Sequence, residues 1–261
     1  MTDRPSFDAY KPAEIAELIE TAGVAKAHLP WKQMLVLAML AGAFIGFGAA
    51  AYTMVMTGVD ASYGPARFLG GVVFCLGLIL VIVGGAELFT GNALMIMATV
   101  DGKISVHELL RNWGVVYVGN LIGAVGLAVA FGLSGLLDAP MGATAVKLAE
   151  AKANLPFFEG IMRGALCNAL VCLAVWLTFA ARTAAGKVLA IIWPISGFVL
   201  LGLEHSVANM YFFPQGWAAG AEVNVGGALN NMISVTIGNI LGGGAGVALA
   251  YQFAFHGPKA G

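Results

Sequence analysis

Long, unbroken apolar runs separated by short polar stretches dominate the chain. About 20 mostly apolar residues suffice to cross a bilayer as a helix, and six runs reach that length: 33–57, 68–100, 112–137, 160–181, 188–213 and 227–255. They are continuous rather than alternating, which argues against an outer-membrane barrel. Two of them carry charge or polarity deep inside: 68–100 contains Glu87, and 188–213 contains Glu204 and His205. Ahead of the first run the pattern changes to the period of an amphipathic helix over 11–27. Pro12 suits the first turn. Ile15, Leu18, Ile19 and Ala22 share a face, with Glu14, Glu17 and Glu20 off it. This predicts a collar lying on the surface of the bundle.

Composition supports this reading. Hydrophobic residues make up 59% of the 261 and charged residues only 10%, and the mean hydropathy is +0.86. A water-soluble globule has too few charges here to coat its surface, and disorder needs the opposite bias. The net charge of −1 offers no basic face for nucleic acid. Cys75, Cys167 and Cys172 lie inside apolar runs without CxxC spacing, so neither a disulfide framework nor a zinc site is expected, and no other metal or cofactor is indicated. The first 30 residues mix acids and bases and lack the apolar stretch of a signal peptide.

Lys and Arg set the expected orientation. Nine fall on the side of the termini (Arg4, Lys11, Lys26, Lys32, Lys103, Arg111, Arg182, Lys187, Lys259), against Arg67, Lys147, Lys152 and Arg163 on the other. Both termini are therefore expected in the cytoplasm, with Trp31, Trp113, Trp176 and Trp193 near that interface. The expected organisation is a cytoplasmic N-terminal segment over 1–32, a six-helix domain over 33–255 and a short cytoplasmic tail over 256–261.

The halves repeat. Val116–Gly123 matches Val235–Gly242 at an offset of 119, and Gly85-Ala86-Glu87 through Asn92 matches Gly202-Leu203-Glu204 through Asn209 at an offset of 117. Three spans per copy is an odd number, so the second copy enters from the opposite side, an inverted 3+3 repeat with its site near the midplane. Many of the 36 glycines fall at four-residue spacing. Ala38, Gly42, Gly46 and Ala50, like Gly238, Gly242, Gly246 and Ala250, would let helices approach closely.

Glycines flank polar residues in Gly84-Gly85-Ala86-Glu87-Leu88-Phe89-Thr90-Gly91-Asn92, and Gly202-Leu203-Glu204-His205-Ser206-Val207-Ala208-Asn209 holds the corresponding place. Both read as interrupted helices, tolerated at membrane depth only where protein buries them or they line a cavity. They would bring Thr90 close to His205. Glu87 and Glu204 read as braces between helices, with amide partners among Asn92, Asn168 and Asn209. His205, an ionisable group inside the membrane, reads as lining a pathway.

These segments resemble the formate/nitrite transporters, pentameric channel-like carriers of small monovalent anions. The resemblance rests on Gly85–Asn92, on Cys167-Asn168-Ala169-Leu170-Val171-Cys172-Leu173-Ala174-Val175-Trp176, on Glu204-His205-Ser206-Val207-Ala208-Asn209-Met210 and on Thr236-Ile237-Gly238-Asn239. It implies an all-α, aquaporin-like integral membrane fold in which the second and fifth of six helices are interrupted, a pore in each protomer and a homopentamer in the lipid bilayer of the inner membrane. The family's pore histidine falls on His205 and its loop threonine on Thr90. Apolar constrictions fall on Phe74 and Phe198 toward the periplasm, and on Leu78, Leu88 and Phe89 toward the cytoplasm. The vestibule lysine falls on Lys152 and a buried pathway amide on Asn168. Many members have Asp where this chain has Glu87.

The expected function is passive or proton-coupled transport of formate, with nitrite or hydrosulfide as the alternative substrate. A bare carboxylate does not cross apolar rings cheaply. Lys152 would concentrate the anion, and His205 would donate a proton or a hydrogen bond. A neutral-solute channel would want Asn-Pro-Ala at both breaks, where this chain has Asn92-Ala93-Leu94 and Asn209-Met210-Tyr211. An enzyme is not expected, since Glu204 and His205 are adjacent and would point about 100° apart on a helix.

Overall fold

The computed structural model describes residues 9–256. Among these, every regular element is helical: α1 (Pro12–Ala27), α2 (Trp31–Val55), α3 (Gly64–Gly84), a 3₁₀ turn (Gly91–Met95) running into α4 (Ile96–Val100), α5 (Val106–Leu133), α6 (Pro140–Ala153), α7 (Phe157–Ala180), α8 (Ala184–Leu200), α9 (Ser206–Ala218), α10 (Val225–Ile240), a π-helical stretch (Leu241–Leu249) and α11 (Ala250–His256). Five helical stretches are long and apolar enough to cross a membrane, 31–55, 64–84, 106–133, 157–180 and 225–255. The predicted run 188–213 is instead divided between α8 and α9, and 68–100 between α3 and the 3₁₀ turn with α4. Arg4, Lys259 and most of the tail lie outside the described residues.

Both interruptions are made the same way. Gly85 and Gly202 adopt φ of +82° and +69°, a conformation that glycine reaches without a side-chain clash. The amides of Ala86 and Leu203 then reach back five residues to Val81 O (2.9 Å) and Phe198 O (3.1 Å), closing the helix ends as in a Schellman motif. Elsewhere the helices begin where local chemistry says they should. Ser105 and Glu108 form a capping box on α5, Asn224 caps α10 through Gly227 N, and Pro12 and Pro140 open α1 and α6.

Four expectations change. Residues 140–153, read as a connection, form α6. At 14 residues, with Lys147, Glu150 and Lys152 among them, it is too short and too charged for a search for apolar runs of bilayer length. Glu20 is buried, not on the outer face of α1, because Lys103 folds over and bonds it. Trp113 and Trp176 turn inward: Trp113 Nε1 donates to Asn92 O at 3.1 Å, and Trp176 stacks on Tyr251 at 3.9 Å and is buried. Only Trp31 and Trp193 are left exposed among those four.

The fourth concerns the small-residue ridges. Gly42 and Gly242 pack as expected, each so close to a neighbouring helix that a Cβ would run into the backbone of Asn120 or Ala165. The second ridge then stops. The π stretch has a wider turn than an α-helix, so the four-residue spacing fails: Gly246 and Ala250 face outward, and Gly243 and Gly244 turn in. A Cβ on Gly243 would lie 2.7 Å from Cys172 Sγ and 2.9 Å from Ala93 Cβ. Gly242→Ala should therefore cost about 1–3 kcal/mol from overpacking, read as a lower thermal unfolding midpoint of the purified protein. Gly246→Ala should leave the midpoint unchanged.

Candidate functional site

Each interruption is held by one asparagine on a neighbouring helix. Asn120, on α5, donates to Ala38 O (2.8 Å) and Glu87 O (2.9 Å) and accepts from Phe89 N (2.9 Å). Asn239, on α10, donates to Gly164 O (2.8 Å) and Glu204 O (3.0 Å) and accepts from Ser206 N (2.9 Å). Glu87 and Phe89 correspond to Glu204 and Ser206 at the offset of 117, so each asparagine bonds the same two positions of its interruption. Both side chains are fully buried, so each supplies what water cannot at that depth.

A second matched set surrounds the two acids. Glu87 accepts from Asn92 Nδ2 (2.8 Å) and from Lys26 Nζ (2.6 Å). Asn92 also donates to Asn112 Oδ1, and Asn112 Nδ2 reaches Lys26 O. Glu204 accepts from Asn209 Nδ2 (2.7 Å) and from Lys152 Nζ at both oxygens (2.9 Å each). Asn209 also donates to Asn231 Oδ1, and Asn231 Nδ2 reaches Lys152 O. The amide partners of the acids are thus Asn92 and Asn209. Asn168 is partner to neither: its Nδ2 donates to Thr90 O (3.1 Å) and Asn239 O (2.7 Å). Lys26, Asn112, Asn120, Asn231 and Asn239 were not recognised from the sequence as site residues. The signal was present in the repeat, where Asn120 aligns with Asn239, but α6 and its match to α1 were needed to pair Lys26 with Lys152.

Two cavities approach the middle from opposite ends. The first, about 230 Å³, has Lys152, Glu204 and Arg67 in its wall and reaches Phe74, Phe198 and His205. The second, about 450 Å³, has Lys26 and Glu87 in its wall and reaches Leu78 and Leu88. Arg163 of α7 lines the first and Phe179 the second, a separation of about 24 Å at 1.5 Å per residue. Phe74 and Leu78 are one turn apart on α3, so the floors are about 6 Å apart along it. Phe74 and Phe198 meet edge to face at 5.5 Å, and Phe198 stacks on the His205 ring at 6.0 Å. Phe89 points elsewhere, its ring against Tyr117 (4.9 Å) and Trp113 (6.0 Å) of α5.

Thr90 and His205 meet in this partition. Thr90 Oγ1 lies 2.9 Å from His205 Nε2, and both residues are buried. His205 Nδ1 accepts from Ala208 N at 3.1 Å, which caps the first turn of α9. With Nδ1 occupied as an acceptor, the neutral ring carries its proton on Nε2 and donates it to Thr90 Oγ1. The Thr90 hydroxyl hydrogen is then left to donate onward. The Thr90 backbone is itself pinned, its carbonyl accepting from Asn168 Nδ2 and from Cys172 Sγ (3.5 Å).

Known proteins share this chain's pattern. The formate/nitrite transporter family profile matches residues 13–253. The chain is 43% identical to the uncharacterized transporter YrhG of Bacillus subtilis (strain 168), with 94% of each chain covered. It is 37% identical to the formate channel FocA of Escherichia coli (strain K12), with 95% of each covered. Among solved structures, a pentameric formate channel with formate bound is 39% identical, with a TM-score of 0.80 over 87% of this chain and 98% of that one.

The buried ion pair near the first cavity generates a double-substitution test. Lys152→Met strands the Glu204 carboxylate, which should cost about 3–5 kcal/mol, while Lys152→Met with Glu204→Gln should recover most of it. Unfolding midpoints of wild type, Lys152→Met, Glu204→Gln and the double variant give the coupling.

Proposed function

The chain belongs to the formate/nitrite transporter family, and from that premise we propose that it carries small monovalent anions, formate ahead of nitrite, through a pore in each protomer of a homopentamer. It is a multi-pass membrane protein. The observation that supports the role most strongly is the Thr90–His205 pair at 2.9 Å, enclosed between two cavities with apolar floors. Formate is placed ahead of nitrite because relatives such as FocA are named formate channels. The family's named members are transporters and channels, and we read this chain likewise rather than as an enzyme.

The charge bias of the loops supports an inner-membrane protein with both termini in the cytoplasm, so that the first cavity opens to the periplasm and the second to the cytoplasm. In this reading residues 1–32 form the N-terminal segment, 33–255 the transport domain with its two halves in inverted 3+3 order, and 256–261 the tail.

An anion entering either cavity meets a lysine–glutamate pair, Lys152–Glu204 or Lys26–Glu87, and then an apolar floor. Phe74 and Phe198 form one floor, Leu78 and Leu88 the other. A dry carboxylate is far costlier there than its neutral acid, so the anion must be met by donors or take up a proton. Thr90 supplies a donor. His205 Nε2–H loads the Thr90 oxygen and leaves the hydroxyl proton to face the substrate, a chain in which each hydrogen bond polarises the next. The ring stays neutral while Ala208 N–H holds Nδ1. Asn168 keeps Thr90 in place through its backbone rather than meeting the substrate, and Phe89 supports the partition from behind.

Formate uptake into proteoliposomes tests the reading. Wild-type protein should take up formate between about pH 5 and 8, and His205→Phe, which removes the hydrogen bond to Thr90 Oγ1, should lose most of the flux. Pore function at Thr90 and His205 is refuted by a His205→Phe protein with unchanged flux across that range. Thr90→Val should slow uptake roughly ten- to a hundredfold, the equivalent of one hydrogen bond to a charged group. Thr90→Ser, which keeps the hydroxyl, should stay near wild type.

A further inference from the structure

The two cavities share a plan but differ in charge. In the wall of the second, the only charged residues among those described are Lys26 and Glu87, paired at 2.6 Å. The first has four, Arg67, Lys152, Arg163 and Glu204. Lys152 is paired with Glu204 at 2.9 Å, and Arg163 with Glu159 at 2.8 Å. Arg67 is left over. Among the described residues, no carboxylate lies within ion-pair distance of its guanidinium and no acceptor is hydrogen-bonded to it. Glu204, the acid lining that wall, is already engaged: Lys152 bonds both of its oxygens and Asn209 one of them.

The unpaired guanidinium is seated, not loose. It lies against the second interruption, where a Cβ on Gly202 would come within 2.5 Å of Arg67 Nη2. Gly202 is two residues before Glu204 and three before His205. Arg67 is half-buried and stands two turns above Phe74 on α3, about 10 Å from the cavity floor. A guanidinium has five donors in a planar fork, and among the described residues none of them is given to an acceptor within the protein. That fork matches a bent, two-oxygen anion bidentately, which a point charge does not.

We propose that Arg67 captures the substrate at the mouth of the first cavity and selects planar two-oxygen anions, formate and nitrite, over a one-centre anion such as hydrosulfide. The proposal rests on the anion-transport reading above. It adds that the bound lysine is not the collector: Lys152 is neutralised by Glu204, and the net positive charge of the cavity comes from Arg67. The second cavity has no counterpart, so capture is stronger from the first side.

Initial uptake of formate, nitrite and hydrosulfide, measured against concentration in proteoliposomes, tests it with wild type, Arg67→Lys and Arg67→Gln, each first shown to elute as the wild-type assembly. Arg67→Lys keeps the charge and loses the fork. Half-saturation for formate and nitrite should rise roughly tenfold, with maximal flux and hydrosulfide uptake little changed. Arg67→Gln should raise half-saturation for all three anions and flatten the dependence on ionic strength. An equal shift for all three anions in Arg67→Lys, or Arg67→Gln curves that overlay wild type, overturns the proposal. Wild-type vesicles that take up none of the three overturn the transport reading and this proposal with it. Wild-type uptake with unresponsive variants overturns the proposal alone.

Discussion

Two buried carboxamides carry the architecture. Where α3 and α8 end at their glycines, backbone groups lose helical partners at a depth where water does not reach them, and each such group left unpaired is expensive. Asn120 and Asn239 take up those groups, and in doing so they fix where each chain segment runs after its interruption. The acids beside them follow. Glu87 and Glu204 tolerate burial because a lysine and an asparagine hold each one. Those lysines sit on α1 and α6, so two helices outside the six apolar runs are drawn into the bundle as counter-charges.

On this nearly symmetric frame, the chemistry is asymmetric. The residue at the second interruption that corresponds to Leu88 is His205, and the one that corresponds to Thr90 is Val207. One interruption therefore contributes an imidazole and the other a hydroxyl, and the fold brings them together at 2.9 Å. The same difference appears in the supports. Gly42 packs directly on the Asn120 backbone, while Asn168 reaches across to tie Asn239 O to Thr90 O. The π stretch belongs to the second half alone, and its inward glycines make room for the 3₁₀ turn that follows Thr90. The matched hydrogen-bond patterns accompany the two cavities; differences between the two interruptions supply the donor pair and the free guanidinium of Arg67.

Much of this was legible in the chain. Four apolar runs, 33–57, 112–137, 160–181 and 227–255, fall on helical spans, because helix length in a membrane is set by its thickness; 68–100 and 188–213 are divided at their interruptions. Gly85 and Gly202 marked the interruptions because positive φ selects glycine. The apposition of Thr90 and His205 followed from the internal repeat. The misreadings have a common cause. α6, buried Glu20 and the inward Trp113 and Trp176 are each polar or amphipathic pieces whose place is decided by a partner far away in sequence, and Gly246 turned outward because a π turn changes the period on which the ridge was counted.

A helical membrane protein with two broken helices is written in the chain alone, since hydropathy, glycine placement and intramembrane charge act locally and leave local marks. Packing of distant segments settles which lysine meets which acid, that Asn168 positions Thr90 rather than bracing Glu87 or Glu204, and that Arg67, among the cations of its cavity wall, has no acid partner among the described residues. Those outcomes depend on distances between elements dozens of residues apart, and a charge is paired or free only relative to what the fold places beside it.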